Sequence, residues 1–351
     1  NKSFTVDNQI TILGGRNIGD EYFNADPELA FIDIDVLSSG PVARDVSASF
    51  DLYWNSQLSY PITTLVEDLP SAEQARQHKE EFDRFIAEQY ESEYLQHLRN
   101  SNLAQQIKNQ SLEFSWGVGV VVADDPAKLT RDTSVTEYRL SEQLRPYLES
   151  VETELIIFSP YFVPGKGGVA FMQALRDKGV RVRILTNSLS STDVSAVHAG
   201  YSRYRKALLR MGVELYELNK ELSKEERKAM KEGGIGSSKA SLHAKSFVLD
   251  RSQVFIGSLN LDARSVVQNT EIGVVFESEE IAKRMASGFD RKIDQIAFRL
   301  ELQRDDLGRE QLTWHGLVDG KRQILTVDPY TSFWKRFGVG FMRMFPIESQ
   351  I

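Results

Sequence analysis

The sequence predicts an α/β fold: two α-β-α sandwich domains facing each other as a pseudo-twofold pair, the first of them incomplete. Two observations carry this. The run Lys2-Ser3-Phe4-Thr5-Val6-Asp7 returns as Lys245-Ser246-Phe247-Val248-Leu249-Asp250, and the register continues without a gap, Gly14 falling on Gly257 and Asn17 on Asn260. Two copies so far apart exclude a short-period solenoid and imply two homologous halves, each lending part of one active site. The second observation is that the later half alternates strand-like and helix-like segments, which is the signature of layered α/β domains.

Taken in order, the first half offers the motif strand, a strand at 31–37 and a helix at 42–54. Its opening strands and helices are missing. Phe82, Ile86, Tyr90, Tyr94 and Leu98 recur about every four residues, so residues near 70–110 are expected to be a packed helical insertion or cap. Residues 116–123 read as a strand, and a helix over 134–148 leads into the second half. The domain boundary is accordingly expected at 133/134. Beyond it, 153–159 reads as a buried strand, and 169–178 as a helix that Gly179 ends. Strand 180–186, helix 194–211 and strand 213–218 follow. The charged, Gly-rich stretch 221–239 is expected to be an exposed loop. Strands at 244–249, 254–256 and 272–276 come next, then a helix at 279–296.

The chemistry centres on His243, Lys245 and Asp250, spaced H-x-K-x4-D on a predicted strand. Side chains alternate along a strand, so His243 and Lys245 point to one side. Transfer at a phosphodiester needs an imidazole that attacks or moves a proton and a fixed cation beside the phosphate oxygens. Ser258 and Asn260 follow in a predicted tight turn that brings a hydroxyl and an amide towards the same phosphate. Glu271 begins the next strand, where it is placed to hold the His243 ring in one tautomer. One such match alone is weak. The recurrence of Lys2, Asp7, Gly14 and Asn17 in register makes it specific.

Composition narrows the field. Among 351 residues, Lys+Arg number 42 against Asp+Glu 50, a net charge of -8 that is a poor footprint for general nucleic-acid binding. There is no cysteine, which excludes disulfides and thiolate metal sites. No run approaches the roughly 18 apolar residues of a membrane span. Asn1 enters a strand-like run at once, without Met or a leader-type segment, so the chain is expected to be truncated or processed.

These residues resemble the two HKD motifs of the phospholipase D superfamily, over nearly the whole chain. In that pattern a histidine stands immediately before the position of Asn1, so Lys2 and Asp7 belong to the first motif without its histidine. The resemblance implies that one histidine forms a phosphohistidine while the other, His243, serves as general acid and then base. Lys2, Lys245, Asn17 and Asn260 would neutralise the phosphate, with no cofactor or metal. Asp33 looks like the first-half counterpart of Glu271 after an insertion around 24–28.

Narrower likeness to the C-type bacterial cardiolipin synthases comes from Ser159-Pro160-Tyr161-Phe162-Val163-Pro164, Leu185-Thr186-Asn187-Ser188-Leu189 and His198-Ala199-Gly200-Tyr201. The run Gly14-Gly15-Arg16-Asn17-Ile18-Gly19 and the ending from Phe345 to Gln350 belong with it. It implies phospholipid substrates such as phosphatidylglycerol and a bacterial membrane location, peripheral or anchored through an upstream segment. His198 and Tyr201 are candidates for the cleft wall, with a structural packing role as the alternative for His198.

Near the end, Trp334, Phe337, Phe341 and Phe345 fall at helical spacing with Lys335, Arg336 and Arg343. That pattern suits an anionic membrane surface or a helix docked on the domain. The rival functions are a hydrolase or nuclease of the same superfamily and a non-catalytic lipid-binding remnant. Water and alcohol acceptors are not separable from sequence.

Overall fold

The computed structural model describes residues 2–23, 25, 26, 28–66, 68–221 and 239–345. The loop expected at 221–239 lies, apart from its two ends, outside the described residues. So does the closing run after Phe345.

The first half opens with the hairpin β1 (Ser3–Val6) and β2 (Ile10–Gly14), followed by β3 (Leu29–Ile32), β4 (Asp35–Ser39) and α1 (Pro41–Trp54). The single strand expected at 31–37 is thus two. They part at Asp33, whose carboxylate accepts the Ile34 N–H at 2.9 Å. The insertion is α2 (Ala72–Gln89), α3 (Glu93–Asn100) and α4 (Asn102–Lys108), each started by a serine cap at Ser71, Ser92 or Ser101. Its apolar stripe is not packed as expected: none of the three helices buries a residue, and Phe82, Ile86 and Tyr90 face outward.

The second half runs β5 (Val118–Ala123), α5 (Leu140–Glu149), β6 (Glu154–Phe158), α6 (Gly165–Asp177), β7 (Arg181–Asn187), α7 (Ser195–Ser202), α8 (Arg205–Arg210) and β8 (Glu214–Leu218). It continues with β9 (Lys239–Leu242), β10 (Lys245–Leu249), β11 (Gln253–Gly257), α9 (Ala263–Val267), β12 (Ile272–Glu277) and α10 (Glu279–Ile296). It closes with β13 (Ala297–Arg304), β14 (Glu310–Val318), β15 (Lys321–Leu325) and α11 (Phe333–Met342). Ten strands form one sheet in the order β15-β14-β13-β8-β7-β6-β10-β11-β12-β5. β5 precedes the boundary expected at 133/134 and pairs along its whole length with β12. The helix expected over 194–211 is two. That expected from 134 begins at 140, where Asp124 accepts the Leu140 N–H at 2.7 Å.

Alternation along the strands builds the sandwich. Phe247, Leu249 and Phe255 join Leu144, Met172, Leu175 and Leu208 under α5, α6 and α8. Val248, Val254 and Ile256 pack on the other face against Ala282, Ala286, Phe289 and Ile293 of α10. Burial of this kind stabilises by about 25 cal/mol per Å² of apolar surface removed from water.

The repeat read from the sequence is a repeat in space. Phe4 pairs with Ile12 across β1–β2, as Phe247 pairs with Phe255 across β10–β11. Both hairpins turn through two residues at positive φ, Asp7 and Asn8 (52° and 55°) or Asp250 and Arg251 (51° and 54°), within a three-residue connection between the paired Val6 and Ile10 or Leu249 and Gln253. Gly14 then pairs with Asp35, and Gly257 with Gly273. These two pairings place Asp33 at the position of Glu271, with the first half carrying the additional residues expected around 24–28. The halves meet where β2 and β4 lie against β11 and β12. Their outer faces differ: Phe247 is 1% exposed beneath its helices, whereas Phe4 is 68% exposed.

Asp250 has a structural place. Its carboxylate accepts the N–H groups of Glu152, Thr153 and Glu154 at 2.7–2.9 Å, at the end of β10 away from His243. Burial pushes its pKa up, but these bonds outweigh burial and hold it below the usual range. A depressed carboxylate contributes stability above its unfolded pKa and loses it as pH falls through the folded value. Asp250→Ala should cost about 1–3 kcal/mol of unfolding free energy at pH 7 and less at pH 3. Urea titrations at the two pH values measure it, and an equal loss at both would contradict the pairing.

Candidate active site

The site forms where the halves meet. β3 and β9 pair in parallel, Ile32 opposite Leu242, and the next residues out of each are Asp33 and His243. The N–H groups of His243 and Ala244 both donate to the Ile32 carbonyl, at 2.8 and 3.0 Å. From the other side, the buried Asn187 amide donates to the Leu242 carbonyl and accepts the Leu242 N–H, both at 2.9 Å. The histidine backbone is therefore fixed by two elements before its ring does anything.

Asp33, with its side chain fully buried, places Oδ2 2.7 Å from His243 Nδ1. A carboxylate there holds the Nδ1 proton and leaves Nε2 as the working nitrogen. Nε2 lies 3.5 Å from the Tyr22 hydroxyl, which accepts from Asn17 Nδ2 at 2.8 Å. The rings of Tyr22 and Phe31 stand against the imidazole, with centroids 4.9 and 5.2 Å away. Lys245 Nζ is 3.0 Å from each ring nitrogen and donates to the His243 carbonyl at 2.6 Å. Gly15 makes this closure possible. A Cβ there would stand 2.6 Å from Asp33 Oδ1 and 3.1 Å from Lys245 Cδ, too near for any larger residue.

Burial sets the electrostatics. It lowers the His243 pKa, opposed by the Asp33 bond and reinforced by Lys245 and Lys2. Burial likewise pushes Lys245 down to about 7, with Asp33 opposing and Lys2 adding to the drop. A phosphate anion arriving here raises both groups again, because it favours their charged forms. Glycerophosphoglycerol should therefore take up a proton on binding and weaken by up to about tenfold per pH unit above 7. Titration calorimetry in two buffers of different ionisation enthalpy tests this. Affinity independent of pH between 6 and 9 would remove Lys245 from the clamp.

Several expected residues stand elsewhere. Glu271 does not reach His243. Its carboxylate accepts the Ser258 hydroxyl at 2.5 Å, while Asp124 accepts its N–H at 2.8 Å. Burial raises its pKa, opposed by the Ser258 bond and the charge of Lys2. The carboxylate that orients His243 comes instead from the opposite half, as the pseudo-twofold dictates. Ser258 is committed to Glu271 and to the Ile272 N–H, so its hydroxyl is not offered to a phosphate. Asn260 is buried with its Oδ1 unpartnered among the described residues, whereas Asn17 is exposed. Asp7 is exposed at its hairpin tip.

His198 and Tyr201 do not line the cleft. Both are buried beside Arg205, whose guanidinium meets the His198 ring and Asp328. Tyr22, Gly15 and Asn187 were not singled out by the sequence as site residues. Tyr161, which donates to Asp193 at 2.7 Å, joins them at the rim.

The family model described as cardiolipin synthase, phospholipase D-like domain, matches residues 144–293. Cardiolipin synthase C of Escherichia coli (strain K12) is 40% identical over 99% of this chain, which spans 72% of that protein. Cardiolipin synthase A of Pseudomonas aeruginosa (strain UCBPP-PA14) is 26% identical over 80% of the chain and 43% of its own length. Among solved structures, phosphatidylserine synthase of Haemophilus influenzae Rd KW20 superposes with a TM-score of 0.53 at 14% identity. That match covers 86% of this chain and 62% of the other, and it bears on the fold alone.

Proposed function

We propose that this chain, which belongs to the family of cardiolipin synthases with a phospholipase D-like domain, moves a phosphatidyl group onto the hydroxyl of phosphatidylglycerol to give cardiolipin. The observation that carries the reading is the His243 ring held between Asp33 of one half and Lys245 of the other, with Lys245 Nζ and the Tyr22 hydroxyl near Nε2. A donor phosphodiester would set its anionic oxygens against Lys245, Lys2, Asn17 and Asn260. A histidine nitrogen bonds to phosphorus as the P–O bond to the leaving alcohol breaks, and that alcohol takes a proton from the second histidine. The acceptor hydroxyl then returns a proton to the second histidine as its oxygen bonds to phosphorus and frees the first. We assign His243 the proton transfers: its ring is oriented through Nδ1, and the proton that it takes up as the phosphodiester anion arrives is the one that Nε2 gives to the leaving alcohol.

The membrane side of the reading rests on α11. Val339 docks this helix on Leu189 and Ala199, while Phe333, Trp334, Phe337 and Phe341 face outward beside Lys335 and Arg336. Aromatic rings with basic neighbours suit the interface of an anionic bilayer. Among the described residues no helix is long and apolar enough to cross one.

The test is incubation of the full-length protein with mixed phosphatidylglycerol and phosphatidylethanolamine vesicles. Cardiolipin is the expected product. Phosphatidic acid alone would make the protein a hydrolase, and no turnover of any phospholipid would overturn the reading.

A further inference from the structure

A cavity of about 620 Å³ lies beside the site, on the α5–α6 face of the large sheet. Its floor is Leu155, Ile157 and Phe247, and its walls include Leu148 of α5, Phe171 of α6 and Val266 of α9. That size and apolar character are those of a small-molecule site, not of a packing defect.

Three features tie it to the reacting centre. Lys245 and Phe247 are two apart on β10, so they project to one face about 6.6 Å from each other. The segment 159–164 and the segment 258–262 each serve both sides. Tyr161 and Asn260 belong to the site, while Phe162 and Leu261, joined as a β-bridge, line the cavity. Asp262 lines the cavity too, and its carboxylate lies within the electrostatic reach of Lys245. A ligand with its phosphate on Lys245 and a hydrocarbon tail two residues further along the strand matches this layout.

We propose that the cavity between α5, α6 and α9 holds one acyl chain of the phospholipid whose phosphodiester lies against Lys245. The inference rests on the phospholipid reading of the site and adds the place where the chain goes. Its wall carries a built-in test position. Gly167 lies in the first turn of α6, and a side chain begun there meets nothing within 4 Å. Gly167 is exposed and lines the cavity, so Gly167→Trp sets a ring at its mouth without forcing the helix.

Binding of monomeric lysophosphatidylglycerols with chains of about six to twelve carbons would be measured by calorimetry, with glycerophosphoglycerol as the chain-free control. For the unaltered protein, affinity should rise by up to about fourfold per methylene and level off when the cavity is full. Gly167→Trp should level off at shorter chains and lose at least tenfold for the longest, with glycerophosphoglycerol binding unchanged. Affinity independent of chain length, or the same plateau in both proteins, overturns the proposal.

A second measurement needs no variant. A lysophospholipid with a diazirine at its chain end should label α6 and α9 near Phe171 and Val266, and labelling confined to other segments, α11 included, also overturns it. Chain-dependent binding without phosphatidyl transfer would overturn the catalytic reading while the cavity stands. Transfer insensitive to chain length and to Gly167→Trp would do the reverse.

Discussion

Replacing His243 by Ala lowers phosphatidyl transfer by about 10²–10⁴-fold, the usual worth of a positioned acid/base group, and leaves the protein folded. The fold survives because what anchors this segment is backbone: the N–H groups on Ile32 and the Asn187 clamp on Leu242 remain in the variant. The loss should fall on kcat more than on KM, since the lysines and asparagines that would hold the phosphate are untouched. His243→Gln keeps polar bulk against Tyr22 and Phe31 but supplies no titrating nitrogen, so it should be as inactive as His243→Ala. Cardiolipin formed per minute is read beside the urea midpoint of each variant. Activity within tenfold of the original, in a variant of unchanged stability, would move the proton transfers to another residue.

The sequence made the catalytic strand legible because its evidence is periodic and doubled. Lys2 and Lys245 sit in matching hairpins, but strand alternation does not place His243, which stands in the break between β9 and β10 where its N–H and that of Ala244 share the Ile32 carbonyl. Even the Asp33–Glu271 correspondence could be read, since it depends only on allowing an insertion near 24–28. What could not be read was which carboxylate serves which motif. Both precede a strand of the same hairpin family, and nothing in one dimension says that Asp33 crosses to His243 while Glu271 turns to Ser258. Asp250 misled for a related reason. Its recurrence with Asp7 marks a repeated turn, and a turn residue at φ 51° that ties down the start of β6 recurs as faithfully as a catalytic one. Tyr22 and Gly15 carry no pattern at all. One reaches the imidazole through a short stretch between strands, and the other matters only because two side chains from distant positions close over it. The stripe in α2 and α3 has helical period but buries none of its residues, Tyr94 reaching only the Phe23 carbonyl, so periodicity gave the helix and not its burial.

Asp33→Asn tests the crossed pairing, and its expected signature lies in pH as much as in rate. The amide has nearly the shape of the carboxylate, but its NH₂ can donate to Nδ1, which moves the ring proton to Nε2 and presents the wrong tautomer. In another His-carboxylate system that exchange costs about 10⁴-fold in kcat, and a loss of about 10³–10⁴-fold is expected here. The charge matters separately. Burial lowers the His243 pKa, and Asp33 is the main opposing influence. Removing the carboxylate lowers that pKa further, so the limb of the rate profile governed by the imidazole moves to lower pH. Lys245, already pushed down to about 7, also loses the carboxylate that opposes its shift. Its loss of charge therefore moves to lower pH as well. Both shifts carry the sign of a lost anion. Glu271→Gln supplies the contrast, because Glu271 makes no bond to His243, and its removal should leave the imidazole limb where it was. A uniform drop in Asp33→Asn, with the profile unmoved, would mean that Asp33 only braces the turn between β3 and β4 and that the ring takes its tautomer from elsewhere.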